Sequence, residues 1–155
     1  MLITLLDDSH SFDGSTKDKH PLGGSEKSFI LLAEALSNIG HIVRVFNNCE
    51  NALVVNGVSW NPINKMKAIH SDVWIVHNDP LLFNSINNGT KNILWLTKSG
   101  LKLVQPKYFN VTMEYRPTLV YQGENHLDFI PDAVKSLEAA KSPSEVTGAY
   151  LTQAD

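Results

Sequence analysis

Between Leu2 and Phe46 the chain runs apolar, turn-rich, amphipathic and apolar again, and few folds accommodate that order. "LITLLDD", 2–8, reads as a buried strand whose carboxyl end reaches solvent at Asp7 and Asp8. Residues 9–22 are a polar loop, long beside the ~2–6 residues usual for a strand-to-helix connection, and loops of that kind tend to carry function or to move. Phe29, Leu32, Ala33, Leu36 and Ile39 then mark one helical face, widened by Ile30, Leu31 and Ala35. Ser25 is the expected N-cap, Glu26 suits the positive end of the helix dipole, and Gly40 is placed for a C-cap. "HIVRVF", 41–46, follows at once as a second strand. A strand, helix and strand in succession form a βαβ unit, which requires parallel strands.

The remainder repeats the theme. In "ALVVNGVSW", 52–60, Asn56-Gly57 between two valine-rich runs predicts a hairpin with a type I′ turn. A short helix is expected over 62–69, a strand at "DVWIVH", 72–77, and a helix over 81–87 opened by Asp79 as N-cap and Pro80 in the first turn. "KNILWL", 91–96, is the next strand, and 98–117, punctuated by Pro106 and Pro117, reads as irregular. "TLVYQ", 118–122, and "LDFIP", 127–131, are expected as short strands; 132–141 has helical composition, and "VTGAYLTQAD" supplies a terminal apolar run. Apolar strands alternating with helices predict an α/β fold with an open, mainly parallel sheet covered on both faces.

Composition excludes more than it selects. A chain of 155 residues fits one domain, and 43% hydrophobic with 19% charged residues is ordinary for a globular protein. A formal charge of −3 and scattered lysines without a basic run leave no case for nucleic acid. The opening apolar run is too short and lacks the basic flank of a signal peptide, and no segment approaches the ~20 apolar residues of a transmembrane helix. The cytosol is therefore the expected compartment, and the sequons at Asn88 and Asn110 are accidental. The single cysteine, Cys49, forms no intramolecular disulfide and reads as a bystander thiol. The six histidines show no pairing typical of zinc ligands, so no metal site is expected.

Ligands of open parallel sheets sit at the carboxyl ends of the strands, which singles out Asp7, Asp8, Gly23, Gly24, His77, Asn78, Thr97 and Lys98. Gly23 and Gly24 bare the backbone in front of a helix whose first N–H groups attract anions, although a lone Gly-Gly is also what a plain hinge looks like. Their spacing matches neither the dinucleotide fingerprint nor a Walker A loop. His77 ends an apolar strand, where an imidazole acts as hydrogen-bond donor or general base, or is simply a loop histidine. Asp7 and Asp8 suit a metal or a sugar hydroxyl, and equally suit capping of loop turns. No Gly-x-Ser-x-Gly elbow surrounds Ser25, which argues against a serine hydrolase.

The order of these features resembles the amino-terminal Rossmann domain of retaining GT-B glycosyltransferases, the glycogen-synthase-like and mannosyltransferase-like group. "GGSEKSFILLAEALSNIGHIVRVF" is similar to their glycine-rich loop, helix ending in Gly-His and second strand; "LVVNGVSWNP" to the hairpin that follows; "SDVWIVHNDP" to a strand ending in histidine; "FIPDAV" to the segment leading toward a second domain. The resemblance implies a Rossmann-like three-layer α/β/α sandwich with a β-hairpin insertion over 1–134. Residues 135–155 would be a linker helix and the possible start of a second domain. It implies transfer of a sugar from a UDP- or GDP-sugar donor to an acceptor, with no tightly bound cofactor. Gly23, Gly24 and Ser25 would lie at the donor diphosphate, His77 would be catalytic, and Asp8, Asn78, Thr97 and Lys98 would bind substrate.

Thr97 stands where that group often carries a histidine. The carboxylate pair that grips the donor, Glu-x7-Glu, belongs to the second domain; Glu138 and Glu145 are one residue too close and on the wrong segment. The resemblance thus implies a truncated or split enzyme, completed by a second Rossmann domain in cis or trans and inactive alone. Two other classes stay open. A receiver-like signalling domain would use Asp7, Asp8, Asp79, Thr97 and Lys98 as an acidic Mg²⁺ pocket with a phosphoacceptor. A non-catalytic Rossmann-like interaction module would form a homodimer, with 98–117 as contact surface.

Overall fold

A computed structural model describes residues 1–67, 69–86, 91–128 and 130–141. Its core is an eight-stranded sheet: β1 (Leu2–Leu6), β2 (Ile42–Asn47), β3 (Leu53–Val55), β4 (Val58–Pro62), β5 (Val73–His77), β6 (Lys91–Leu96), β7 (Thr118–Tyr121) and β8 (Ala139–Lys141). The spatial order is β3-β4-β2-β1-β5-β6-β7-β8, and every pairing except β3–β4 is parallel. The chain builds outward from β1 in one direction and then, from β5 onward, in the other. Right-handed crossovers on a sheet that reverses direction must lie on opposite faces. The protein is accordingly a Rossmann-like α/β/α sandwich.

The side-chain alternation of the strands sorts the core into two layers. Ile3, Leu5, Val43, Val45 and Trp95 face the helix α1 (Gly24–Asn38), which contributes Phe29, Ile30 and Ala33. Leu6, Trp74, Val76, Leu94 and Leu96 face the opposite layer, made by the 3-10 turn Pro80–Ser85, α2 (Pro106–Tyr115) and α3 (Asp132–Lys135). Two polar strand residues, Thr4 and Asn47, are wholly buried; the Thr4 hydroxyl donates to Ser71 Oγ while accepting from Arg44 Nε, each at 2.8 Å. The hairpin forms as the Asn-Gly signal predicts. Asn56 and Gly57 take φ of 49° and 80°, the two left-handed positions of a type I′ turn. Gly40, at φ 102°, ends α1 where a side chain would be strained.

The loop after β1 is long but anchored. Phe12 is buried edge-on against Phe29 and Trp60, with ring centroids 5.7 and 5.9 Å away. Asn47 Nδ2 donates to the Phe12 carbonyl at 2.8 Å, and Lys17 pairs with Glu34.

Several expectations need correction. The N-cap of α1 is Gly23, so Ser25 lies inside the first turn and its hydroxyl is used elsewhere. The helix expected over 62–69 is a 3-10 turn at Ile63–Lys65, with Pro62 still in β4. Residues 98–117 are not irregular: a 3-10 turn (Leu101–Val104) leads into α2, with Pro106 in its first turn, where a missing N–H costs nothing. A 3-10 turn at Glu124–Leu127, with Asp128 as its C-cap, and Pro131 as the cap of α3 take both ends of the strand expected at 127–131, and Phe129 lies outside the described residues. The helix expected over 132–141 ends at Lys135, and Ala139–Lys141 pairs with β7, so the sheet runs on to Lys141. The terminal run "VTGAYLTQAD" and the sequon at Asn88 lie outside the described residues. Among the described residues no helix is long and apolar enough to cross a membrane.

Candidate functional site

The strand order reverses between β1 and β5, and in open α/β sheets the crevice for ligands opens at the carboxyl ends of such a pair. Asp7 follows β1 and His77 ends β5, and the parallel register brings them together. His77 Nδ1 lies 2.8 Å from Asp7 Oδ1, and the two side chains are 2% and 1% exposed. Asp7 Oδ2 accepts from the Ser9 N–H at 3.1 Å and the Ser9 hydroxyl at 2.7 Å. The imidazole packs against both Phe29 and Trp95, with centroids at 5.0 and 5.1 Å. An apolar strand end thus holds one histidine ring in a fixed plane, with a buried carboxylate on one nitrogen.

The other nitrogen meets hydroxyls. His77 Nε2 is 2.8 Å from Thr97 Oγ1, just beyond β6, and 3.4 Å from Ser25 Oγ; the two hydroxyl oxygens are 2.5 Å apart. Asn78 clamps Thr97 from both sides, its Nδ2 donating to Thr97 Oγ1 at 3.0 Å and its Oδ1 accepting from the Thr97 N–H at 2.9 Å. This clamp holds Asn78 at φ 60°, a left-handed backbone that asparagine tolerates better than most residues. Four expected site residues (Ser25, His77, Asn78 and Thr97) therefore form one connected network, to which Asp7 belongs as well.

Gly23 and Gly24 are exposed at the start of α1, whose N-cap supplies no side-chain hydrogen bond. The first-turn N–H groups of a helix have no partner within it. Gly23 has an ordinary extended backbone, φ −64° and ψ 161°, so its role is to leave space rather than to permit a strained turn. The nearly buried Glu26 carboxylate fills part of it: a Cβ on Gly23 would stand 2.7 Å from Glu26 Oε2. Lys98 is exposed one residue beyond Thr97. Glu26 and Glu34 do carry the eight-residue spacing of the donor-gripping pair, but on α1, where Glu34 pairs with Lys17 and accepts from Asn56 Nδ2 at 2.8 Å.

Asp8 sits apart from the network, against Asp79. Burial, then a hydrogen bond with and the charge of Asp79, then the charge of Asp7, push the Asp8 carboxyl up to about 6, with Lys102 opposing. Asp79 also caps the following turn, accepting from the Leu81 N–H at 3.0 Å, as Asp79-Pro80 predicts. A carboxyl raised in the folded state holds a proton that the unfolded chain, titrating near ~3.9, has already released. Its stabilising contribution is complete below that value and is lost as pH rises through about 6. Asp8→Asn should flatten this part of the stability profile, read as urea midpoints between about pH 4 and 7; an unchanged slope counts against the Asp8–Asp79 contact.

Among the described residues no three histidine, cysteine or acidic side chains are grouped to hold a metal ion. Cys49 is buried, and burial, then the charge of Asp13, raise its thiol, which leaves it unreactive. Sequence reasoning found His77, Asn78 and Thr97 through their strand-end positions but did not join Asp7 to His77. The chain shows no match to any protein-family model, to any curated protein or to any solved structure.

Proposed function

We propose that this chain is the acceptor-side Rossmann domain of a retaining GT-B-type glycosyltransferase, which transfers a sugar from a UDP- or GDP-sugar to an acceptor. A second Rossmann domain, in cis or trans, supplies the carboxylates that grip the donor. The observation that carries this reading is the meeting of the Gly-Gly helix start with the β5 histidine, joined through Ser25 at the switch point of the sheet. Added to it is the resemblance in element order: glycine loop, Gly-His-terminated helix, hairpin and strand ending in histidine. Gly23, Gly24 and Ser25 then face the diphosphate, whose charge suits helix N–H groups without a partner inside the helix, while the Glu26 carboxylate beside Gly23 opposes it. Asp8, Asn78 and Lys98, just beyond the carboxyl ends of β1, β5 and β6, are then the residues to bind the sugar, and Thr97 holds His77 in place.

UDP and GDP titrated separately into the protein should shift the amide resonances of Gly23, Gly24 and Ser25 ahead of all others, while the chain alone releases no nucleotide from either sugar nucleotide. If neither nucleotide moves those amides, the diphosphate role is lost; turnover by this chain alone would remove the need for a second domain. The facing of Asp8 and Asp79 is what a receiver-like domain would use. Against that alternative, Asp79 is engaged as a helix cap and the loop before α1 separates the acids from the helix.

A further inference from the structure

We propose that Ser25 is a nucleophilic hydroxyl, acylated by carboxylic esters, with His77 as its base and Asp7 as the residue that positions that base. This goes beyond the glycosyltransferase reading and does not rest on it. The Gly-x-Ser-x-Gly elbow is absent, but such constellations are recognised by geometry and roles rather than by sequence order.

Counting donors and acceptors along the shortest contacts gives one consistent proton order for the network, which the proposal adopts. The ionised Asp7 carboxylate only accepts, so His77 Nδ1 carries the hydrogen that meets it at 2.8 Å. Nε2 of the neutral ring is then an acceptor, and of the three groups within reach Thr97 Oγ1, at 2.8 Å against 3.4 Å for Ser25 Oγ and Asn78 Nδ2, is the one that donates in this order. Thr97 has one hydrogen and has now used it. Its oxygen accepts from Asn78 Nδ2 at 3.0 Å, so Ser25, at 2.5 Å, must donate to Thr97 in turn. The Ser25 proton therefore points inward, toward a chain that ends on a buried carboxylate, and neither lone pair of Ser25 Oγ is used within the network. Ser25 is half-buried, whereas His77 is 2% exposed, so a ligand in the crevice meets the serine oxygen and not the imidazole.

That is the ground state of an activated nucleophile. When Ser25 Oγ attacks an ester carbonyl, the O–C bond forms and the carbonyl π pair moves onto oxygen. The serine proton passes to Thr97 as the Thr97 proton passes to His77 Nε2, or directly across the 3.4 Å between Ser25 and His77. The imidazolium is paired with Asp7. The first-turn N–H groups of α1, which have no partner within the helix, are the donors nearest in sequence for the developing oxyanion, at a helix end that the Glu26 carboxylate partly fills. The tetrahedral adduct collapses, the ester C–O bond breaks, and the alcohol oxygen leaves with its electron pair. It takes the proton back along the same path or, as a phenolate, leaves it on His77 for solvent.

The probe is p-nitrophenyl acetate. The expected result is release of p-nitrophenolate stoichiometric with the chain, and an acetyl group mapped by mass spectrometry to Ser25. Ser25→Ala, a change in the partly exposed first turn of α1, should abolish that adduct without affecting the fold. His77→Gln should slow it by roughly 10²–10⁴-fold, the usual contribution of a general base. Thr97→Ser, which keeps the hydroxyl, should retain labelling that Thr97→Val loses. Acetylation confined to lysines, or labelling at Ser25 that proceeds as fast in His77→Gln as in the native chain, would overturn the proposal. Neither result bears on whether UDP or GDP binds at Gly23 and Gly24.

Discussion

Phe29→Ala should lower the unfolding free energy by about 3–5 kcal/mol, the range for removing a large aromatic from a packed core. Phe29 is fully buried, and its ring meets Phe12, Trp60, His77 and Trp95 at centroid distances of 5.7, 6.1, 5.0 and 6.4 Å. Those neighbours come from the loop after β1, from β4, β5 and β6, so one side chain ties α1 to the hairpin half of the sheet and to the site. Truncation leaves a cavity that rigid β-strands cannot close, and it removes the surface on which Phe12 seats the loop. Urea unfolding should show a lower midpoint with an unchanged slope. Phe29→Leu, which keeps most of the volume, should lose markedly less. A loss below about 1 kcal/mol for the alanine variant would mean that the layer collapses around the gap.

Asp7→Asn should leave the protein folded and invert the proton order of the whole network. The carbonyl oxygen of the new amide is held where Asp7 Oδ2 now accepts two hydrogens from Ser9. Its NH₂ group is thereby turned toward His77 Nδ1, which becomes an acceptor, and the ring proton moves to Nε2. Thr97 must then accept from His77 and donate to Ser25, whose own proton turns outward. Acetylation of Ser25 should fall by roughly 10³–10⁴-fold, the scale at which a triad aspartate acts through tautomer and orientation. Imidazole nitrogen shifts should report the tautomer change directly. Retention of the Nδ1–H form would refute this account of how Asp7 acts. Stability should drop by no more than about 1–3 kcal/mol, because the buried ring stays hydrogen-bonded.

What the sequence made legible follows from range. The β1–α1–β2 unit, the Asn56-Gly57 turn and the Asp79 cap are local, and their signals lie within a few residues of the structure they form. The errors cluster where local signals compete. Pro106 looks like a break until it is placed in the first turn of a helix, and Ala139–Ala140, good helix formers, are drawn into a strand by β7. Ser25 resembles an N-cap, but the helix starts two residues earlier than a serine cap would set it, with Gly23 in the cap position. Strand-end position alone flagged His77, Asn78 and Thr97. Nothing in the spacing pairs Asp7 with His77, since their meeting depends on which strand lies beside β1.

The central position of β1 has a consequence for the order of assembly. Its first neighbour, β2, arrives within one helix, but the strand on its other edge does not follow until Val73. Asp7 and His77 are 70 residues apart, so the buried dyad is a long loop closure, entropically among the more costly contacts to make early. During synthesis the amino-terminal half can build β1, α1, β2 and the hairpin while one flank of β1 still waits for its partner. The Asp7–His77 contact is created only when the two halves of the sheet are joined, and its formation thereby reports the completion of the fold.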